Sequence, residues 1–242
     1  MTTLKSNAAY LEDARVHLRN KKFDIALDDL GKVNLSMLTD YQLRLFWSHS
    51  VAVFTGLENW EDARSALDMY EEIVGKNFYY HFLCAELYLA QSNVSKAVEH
   101  ARENLRLSES GFDQARLYLA KLLNRHAKMQ LNGSVVNGKS RLLDEAIGLV
   151  QEVLNKNLHL VKVDRGKYFY AVHILTSSYE TYQKIDELIL FLEDVYLATS
   201  DFESLKKLVE LLSNTGNASD YEFYRKILFE NKGNRQRVST NG

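Results

Sequence analysis

The sequence predicts an all-α protein, a helical solenoid of about six antiparallel helix pairs. Three observations predict this fold class. A short register recurs, in which a polar turn is followed by an aromatic or aliphatic residue and then by Ala two or three positions later, as at Phe23–Ala26 and Trp60–Ala63. Apolar residues follow helical spacing elsewhere, without period-two alternation. None of the 242 residues is proline, so no helix interior lacks a backbone donor.

The same register returns at Val94–Ala97 and Leu143–Ala146. A unit of this size cannot bury its apolar face alone, so neighbouring units must stack on one another. The short polar connections between the apolar runs are typical of antiparallel helical neighbours. Helices are predicted at residues 4–19, 23–33, 40–56, 59–74, 77–91, 94–107, 111–131, 141–156, 165–182, 185–198, 201–214 and 218–230.

Glycine and short polar residues must form every turn of a chain without proline. Glycine tolerates left-handed backbone at a helix end, and Ser or Asp accepts hydrogen bonds from the first free amides of the next helix. The expected stops are Gly31, Gly75 and Gly216, and the expected N-caps are Ser92, Asp201 and Ser219.

A single solenoid domain is predicted over residues 1–230, with looser repeats after 110. Residues 131–140 contain two Asn-Gly steps and are predicted to form a mobile exposed loop. Residues 231–242 form a basic tail with almost no apolar side chain to bury, so disorder is predicted there.

The repeated units resemble the tetratricopeptide repeat, a helix–turn–helix unit of about 34 residues. Matching positions are Tyr10, Ala14, His17, Phe23, Ala26 and Leu30, then Trp47, Val51, Phe54, Trp60, Ala63 and Leu67, then Cys84, Ala85, Tyr88, Val94, Ala97 and Ala101. The family's terminal proline is absent, only the interval from Ala63 to Ala97 has its period, and the resemblance beyond residue 110 is at the level of the fold. The resemblance implies a right-handed superhelical solenoid whose concave wall is lined by the first helix of each pair.

Aromatic triplets open two of these first helices, at residues 78–80 and 168–170. Three consecutive helical residues span about 200° of the helix surface, so at least one ring of each triplet should be exposed. The resemblance implies that the residues of the concave wall are Tyr79, Phe82 and Glu86, followed by Tyr170 and His173. An exposed aromatic patch in such a wall is the expected form of a peptide-binding surface.

The predicted function is that of a scaffold or adaptor without enzymatic activity, which holds a segment of a partner protein in its concave groove. Tyr79, Phe82, Tyr170 and His173 would provide the contacts, and Arg15 and Arg125 would provide charged or polar steering. The chaperone-binding subgroup of the family uses several cations in this wall, and only Arg15 has that chemistry at the matching positions.

Two alternatives remain open. The chain could be a structural subunit of a stable multiprotein assembly, buried through its convex face or its end helices. It could instead be a helical-repeat RNA-binding protein that uses Lys121, Arg125 and Lys128, which share one helical face within the basic segment 105–141. The net charge of −2 argues against nucleic acid as the default partner.

Catalytic and metal-binding motifs are absent from the sequence, so no enzyme activity, no metal and no cofactor is predicted. His81 and Cys84 lie three residues apart, but a structural zinc site needs four ligands. The sequence contains neither an apolar signal region nor an apolar run of about 18 residues, so no membrane partner is predicted. The single cysteine suits a reducing compartment, and the predicted location is the cytoplasm, with the nucleus left open.

Overall fold

A computed structural model describes residues 5–108, 112–130, 140–156 and 160–239, with side chains except those of residues 156 and 232–239. These residues form helices and no strand, which confirms the all-α prediction. The helices are α1 Asn7–Arg19, α2 Phe23–Gly31, α3 Asp40–Gly56, α4 Trp60–Val74, α5 Phe78–Ala90, α6 Val94–Leu107, α7 Asp113–Gln130, α8 Arg141–Lys156, α9 Leu160–Val163, α10 Arg165–Tyr182, α11 Ile185–Thr199, α12 Phe202–Thr215 and α13 Ala218–Ser239.

Three differences from the predicted elements concern short or terminal segments. The 3-10 turn Leu35–Met37 and the short α9 were not predicted, because elements this short have no periodic apolar pattern. Helix α13 continues through residues 231–239, where the sequence predicted disorder. The disorder prediction rested on the lack of apolar residues, but a helix satisfies its backbone hydrogen bonds internally and no proline interrupts this stretch. Residues 131–139 of the predicted loop and residues 240–242 lie outside the described residues.

The connections α1–α2, α3–α4, α5–α6 and α10–α11 share one backbone geometry. One residue of each adopts a left-handed φ of 53° to 61°, and the N–H of the next residue donates to the carbonyl five positions earlier at 2.8–3.0 Å. This pattern is the Schellman motif, which satisfies carbonyls left free at a helix end. The left-handed residues are Lys21, Glu58, Ser92 and Gln183. The polar turn of the sequence register is therefore a helix stop built without glycine.

The residue three positions into each following helix is fully buried. Ala26, Ala63 and Ala97 are all 0% exposed, and Leu188 is equally buried at the corresponding position of α11. A small side chain at this position lets two helix backbones approach closely. The alanine of the register therefore marks the contact between the two helices of a pair.

Several predicted helix ends need correction, and others are confirmed. Ser92 is the left-handed residue, and Asn93 caps α6 by accepting from the Lys96 N–H. Ser219 lies inside α13, where the Asn217 side chain accepts from the Asp220 N–H. Gly31 ends α2 without a left-handed φ, because Lys32 continues in right-handed backbone. The cap at Asp201 and the helix stops at Gly75 and Gly216, both with positive φ, are confirmed.

The chain divides into two compact units, Met1–His126 and Ala127–Gly242. In the first unit, α1 packs on α2 and α3, α3 packs on α4 and α5, and α5 packs on α6. The first helices of successive pairs are therefore neighbours. In the second unit, α10 packs on α8, α9 and α11, and α12 packs on α11 and α13. The single superhelical array predicted over residues 1–230 stays a prediction.

Across the described ranges, no helix combines the length and the apolar character that crossing a membrane requires.

Candidate interaction groove in the first unit

Helices α1, α3, α4 and α5 enclose a groove of about 750 Å³ in the first unit. Its apolar lining includes Val51 of α3 and Leu83 of α5, both almost fully buried. Helix α3 contributes one long face to the groove through Leu45, Ser48 and Ala52, which are three or four residues apart. The contact between neighbouring first helices thus forms this surface.

Four rings form an aromatic row that begins in the groove and extends to α7. Tyr79 and Phe82 of α5 are stacked with ring centroids 5.6 Å apart. Tyr70 of α4 lies 6.1 Å from Tyr79, and Tyr118 of α7 lies 5.3 Å from Phe82. Rings at these separations gain from edge and offset contacts beyond the area they bury. The aromatic row is therefore organised in the unbound protein.

Helix geometry explains why part of this row is exposed. Phe78 and Tyr79 are 41% and 38% exposed, whereas Tyr80 is buried at 9%. The expectation that the triplet 78–80 cannot face one core is confirmed, since consecutive side chains are about 100° apart around a helix.

The charged side chains of the groove are mostly cationic. Arg15, Arg19 and Arg44 line it, together with the carboxylate of Glu86. Glu86 accepts a hydrogen bond from the Tyr118 hydroxyl at 2.5 Å. Arg15 donates from Nε to Glu12 at 2.7 Å, and this hydrogen bond lowers the pKa of Glu12 below its usual value. The groove thus presents an excess of positive charge beside the aromatic row.

His49 contributes a neutral imidazole to the groove. Burial, and secondly the charge of Arg15, lower the pKa of His49 to about 4, so the ring is uncharged near neutral pH. The His49 Nδ1 and Thr55 Oγ1 atoms are buried without a hydrogen-bond partner among the described residues. The positive charge of the groove therefore comes from the arginines.

The structure places four of the seven predicted binding residues in this one groove: Arg15, Tyr79, Phe82 and Glu86. Arg125 is exposed on α7 outside the groove, seven residues after Tyr118 on the same helical face. Tyr170 and His173 are exposed on α10 of the second unit, so they are not grouped with the other four.

The basic face predicted on α7 is exposed at Lys121, Arg125 and Lys128. The Lys128 ammonium donates to the Ser177 hydroxyl at 2.7 Å. Nucleic-acid binding by this face stays an untested alternative, and the salt dependence of RNA affinity would test it.

Sequence reasoning missed Arg19, Arg44 and His49. A signal for Arg44 was available, because it lies one turn before Ser48 on α3, which resembles the first helix of a repeat. Arg19 lies one turn after Arg15 on α1 and could have been found in the same way.

In the part of the chain that the structure describes, no group of three or more His, Cys, Asp or Glu side chains is arranged to hold an ion. Burial raises the pKa of the Cys84 thiol to about 11, so Cys84 remains a protonated thiol near neutral pH. The side chain of His81 instead contacts His100 of α6.

No protein-family model matches the chain, and comparison with curated proteins yields no match either.

Proposed function

We propose that this chain is a non-enzymatic interaction module that binds an acidic segment with aromatic or aliphatic side chains, supplied by a partner protein, in the groove of the first unit. One observation carries the proposal: the exposed ring of Tyr79 and the partly buried ring of Phe82, which stack on each other, share a groove with three arginines. The carboxylate of Glu86, which lines the same groove, is engaged by Tyr118.

The aromatic row supplies most of the binding free energy in this proposal. Apolar area that leaves water contributes about 25 cal/mol per Å². Tyr79 and Phe82 already pack against each other and against Tyr70 and Tyr118, so they lose little side-chain entropy when a segment binds.

The arginines supply charge complementarity. Positive charge around a groove accelerates the approach of an acidic segment and disfavours a basic one. Arg15 is already hydrogen-bonded to Glu12, so a carboxylate of the partner would compete with an exposed intramolecular pair. Exposed ion pairs of this kind contribute only about 0–1 kcal/mol, so replacing Glu12 by a carboxylate of the partner costs little free energy.

The proposed architecture is a right-handed superhelix of the tetratricopeptide type, with this groove on its concave face. The repeated Schellman turns and the packing of α1 on α3 and of α3 on α5 support it. The proposed location is the cytoplasm, which a single unpaired cysteine suits.

Fluorescence anisotropy with two pools of labelled synthetic peptides tests the groove. Both pools carry the same aromatic and aliphatic positions, and one has Asp and Glu where the other has Lys and Arg. We expect the acidic pool to bind, and we expect Tyr79→Ala/Phe82→Ala to weaken binding at least about 10-fold, as loss of about 1.4 kcal/mol or more would require.

Arg15→Glu/Arg44→Glu should weaken binding of the same pool and reduce its salt dependence, because both changes remove the attraction of the groove for carboxylates. Phe223→Ala/Phe229→Ala is the matched control, since both rings are exposed on α13 of the second unit. Equal binding of the two pools, or unchanged affinity of the Tyr79→Ala/Phe82→Ala variant, would refute the proposal.

A structural role within a stable assembly is the second candidate, and one surface of the second unit favours it. Leu190 and Leu197 are 62% and 69% exposed and lie seven residues apart on the same face of α11. Exposed leucines at this spacing are typical of a helix that packs against another protein. Leu190→Asp/Leu197→Asp should reduce self-association of the isolated protein in light scattering if this surface is an assembly contact.

A further inference from the structure

A pair of histidines joins the helices of the third pair. The Nδ1 atom of His81 on α5 lies 3.0 Å from the Nδ1 atom of His100 on α6, and the ring centroids are 5.2 Å apart. The ring of Tyr88 stacks on His100 at 5.4 Å with an interplanar angle of 20°. Both imidazoles are half-buried and therefore accessible to protons from solvent.

This contact is a hydrogen bond between imidazoles. The centroid separation is close to the nitrogen–nitrogen distance plus the two ring radii, so the two nitrogens point at each other. A bridging zinc ion would need about 2.0–2.1 Å to each nitrogen, and the space between the opposed nitrogens is too small. One Nδ1 must therefore carry a proton and donate, and the other must be unprotonated and accept.

The number of protons on the two imidazoles decides whether this hydrogen bond can form. With no net charge or with one positive charge on the pair, one N–H faces one lone pair and the bond persists. With two positive charges, two N–H groups face each other at 3.0 Å, so the bond is lost and two like charges repel.

Charged groups of both signs surround the pair. They are Glu71 of α4, Lys76 of the α4–α5 connection, and Lys96, Glu99, Glu103 and Arg106 of α6. Burial is the largest influence and lowers the pKa of both histidines, and Glu103 opposes it at both rings. Depressed pKa values make the contact most stable above about pH 6.5, the unperturbed value, and weaken it as the pH falls below that value.

We propose that His81 and His100 form a pH-sensitive contact that holds α5 against α6 until both imidazoles are protonated, and that its loss in acid weakens binding in the groove. The second part of this proposal, the weaker binding in the groove, rests on the proposed function. Helix α5 carries the groove residues Tyr79 and Phe82 beside His81, and α6 also holds α5 through Asn104, whose side chain donates to the Phe78 carbonyl at 2.7 Å. Release of α5 therefore disturbs the side of the groove that contains the aromatic row.

Hydrogen exchange of the ligand-free protein tests the contact. The amide protection factors of α5 and α6 should fall several-fold between about pH 7.5 and about pH 5, because the contact between the helices is lost in acid. His81→Gln and His100→Gln each remove one titrating partner, so this pH dependence should be smaller in each variant and absent in the double variant His81→Gln/His100→Gln.

Peptide affinity separates the contact from its effect on the groove. The affinity of the acidic peptide pool should fall over the same pH interval in the wild type and change less in His100→Gln. If protection falls in acid but no peptide binds at any pH, the proposed function and the regulation fail while the contact stands. If the wild type and both glutamine variants show the same pH dependence of protection, the contact itself is refuted.

Discussion

At the scale of single residues, a close approach of Phe23 to Gly56 shapes one end of the groove. A Cβ atom at Gly56 would lie 2.4 Å from two carbon atoms of the Phe23 ring. Both residues line the groove, and Phe23 opens α2 at the start of the sequence register. Position 56 therefore requires glycine because a larger side chain would clash with the Phe23 ring, and not because the backbone has a positive φ there.

Gly56→Ala should destabilise the protein by about 1–3 kcal/mol, because the Phe23 ring must move out of a packed position. Gly148→Ala is the control: it lies inside α8 with open space around the added Cβ, and alanine there should stabilise by about 1 kcal/mol. Urea denaturation measures both changes. A stabilising effect of Gly56→Ala would show that the ring is not confined.

The residues of the candidate groove could be predicted only in part. Tyr79, Phe82 and Glu86 came from the family resemblance, which implies that the first helix of each pair lines the wall. Arg19, Arg44 and His49 join them because α1, α3 and α5 lie side by side, and this depends on packing between helices. The lowered pKa of His49 likewise results from burial that a single sequence does not display.

At the scale of elements, the Schellman turns contain residues that are not suited to left-handed backbone. Lys21, Glu58 and Ser92 adopt φ values of 56°, 58° and 61°. Left-handed backbone costs a side chain with a Cβ about 1–2 kcal/mol, and glycine avoids this cost. The turns therefore persist because the flanking helices are held together by their buried contact.

Glu58→Gly should stabilise the protein by about 0.5–1 kcal/mol, since the relief of strain exceeds the extra freedom of glycine in the unfolded chain. Arg64→Gly is the matched control in the exposed interior of α4, where glycine should destabilise by about 1 kcal/mol. Thermal and urea unfolding give both values. A loss of stability for Glu58→Gly would mean that the side chain itself supports the turn.

At the scale of the whole molecule, stability should be distributed between neighbouring helix pairs, as in a repeat protein. Ala97 at the α5–α6 contact is fully buried, so Ala97→Leu should force these helices apart and cost about 1–3 kcal/mol. Amide protection should fall in α5, α6 and their neighbours and remain unchanged in α12 of the second unit.

Ala198→Leu on the exposed side of α11 is the control for that substitution and should leave the protection pattern unaltered. Native-state hydrogen exchange resolved by helix makes the comparison. An equal loss of protection in α6 and α12 after Ala97→Leu would show that the chain unfolds as one cooperative body.

The sequence by itself determined the all-α class, most helix boundaries and the register of turn and alanine, because these depend on backbone preferences and on spacing within about one or two helical turns. Only the tertiary structure decided which helix faces meet. Those contacts group three arginines beside the aromatic row and bring the His81 ring against the His100 ring. It also decided that α13 continues past residue 230. The physical reason is that contacts between helices join residues distant in the chain, and the free energy of such contacts depends on shape and burial that no local pattern records.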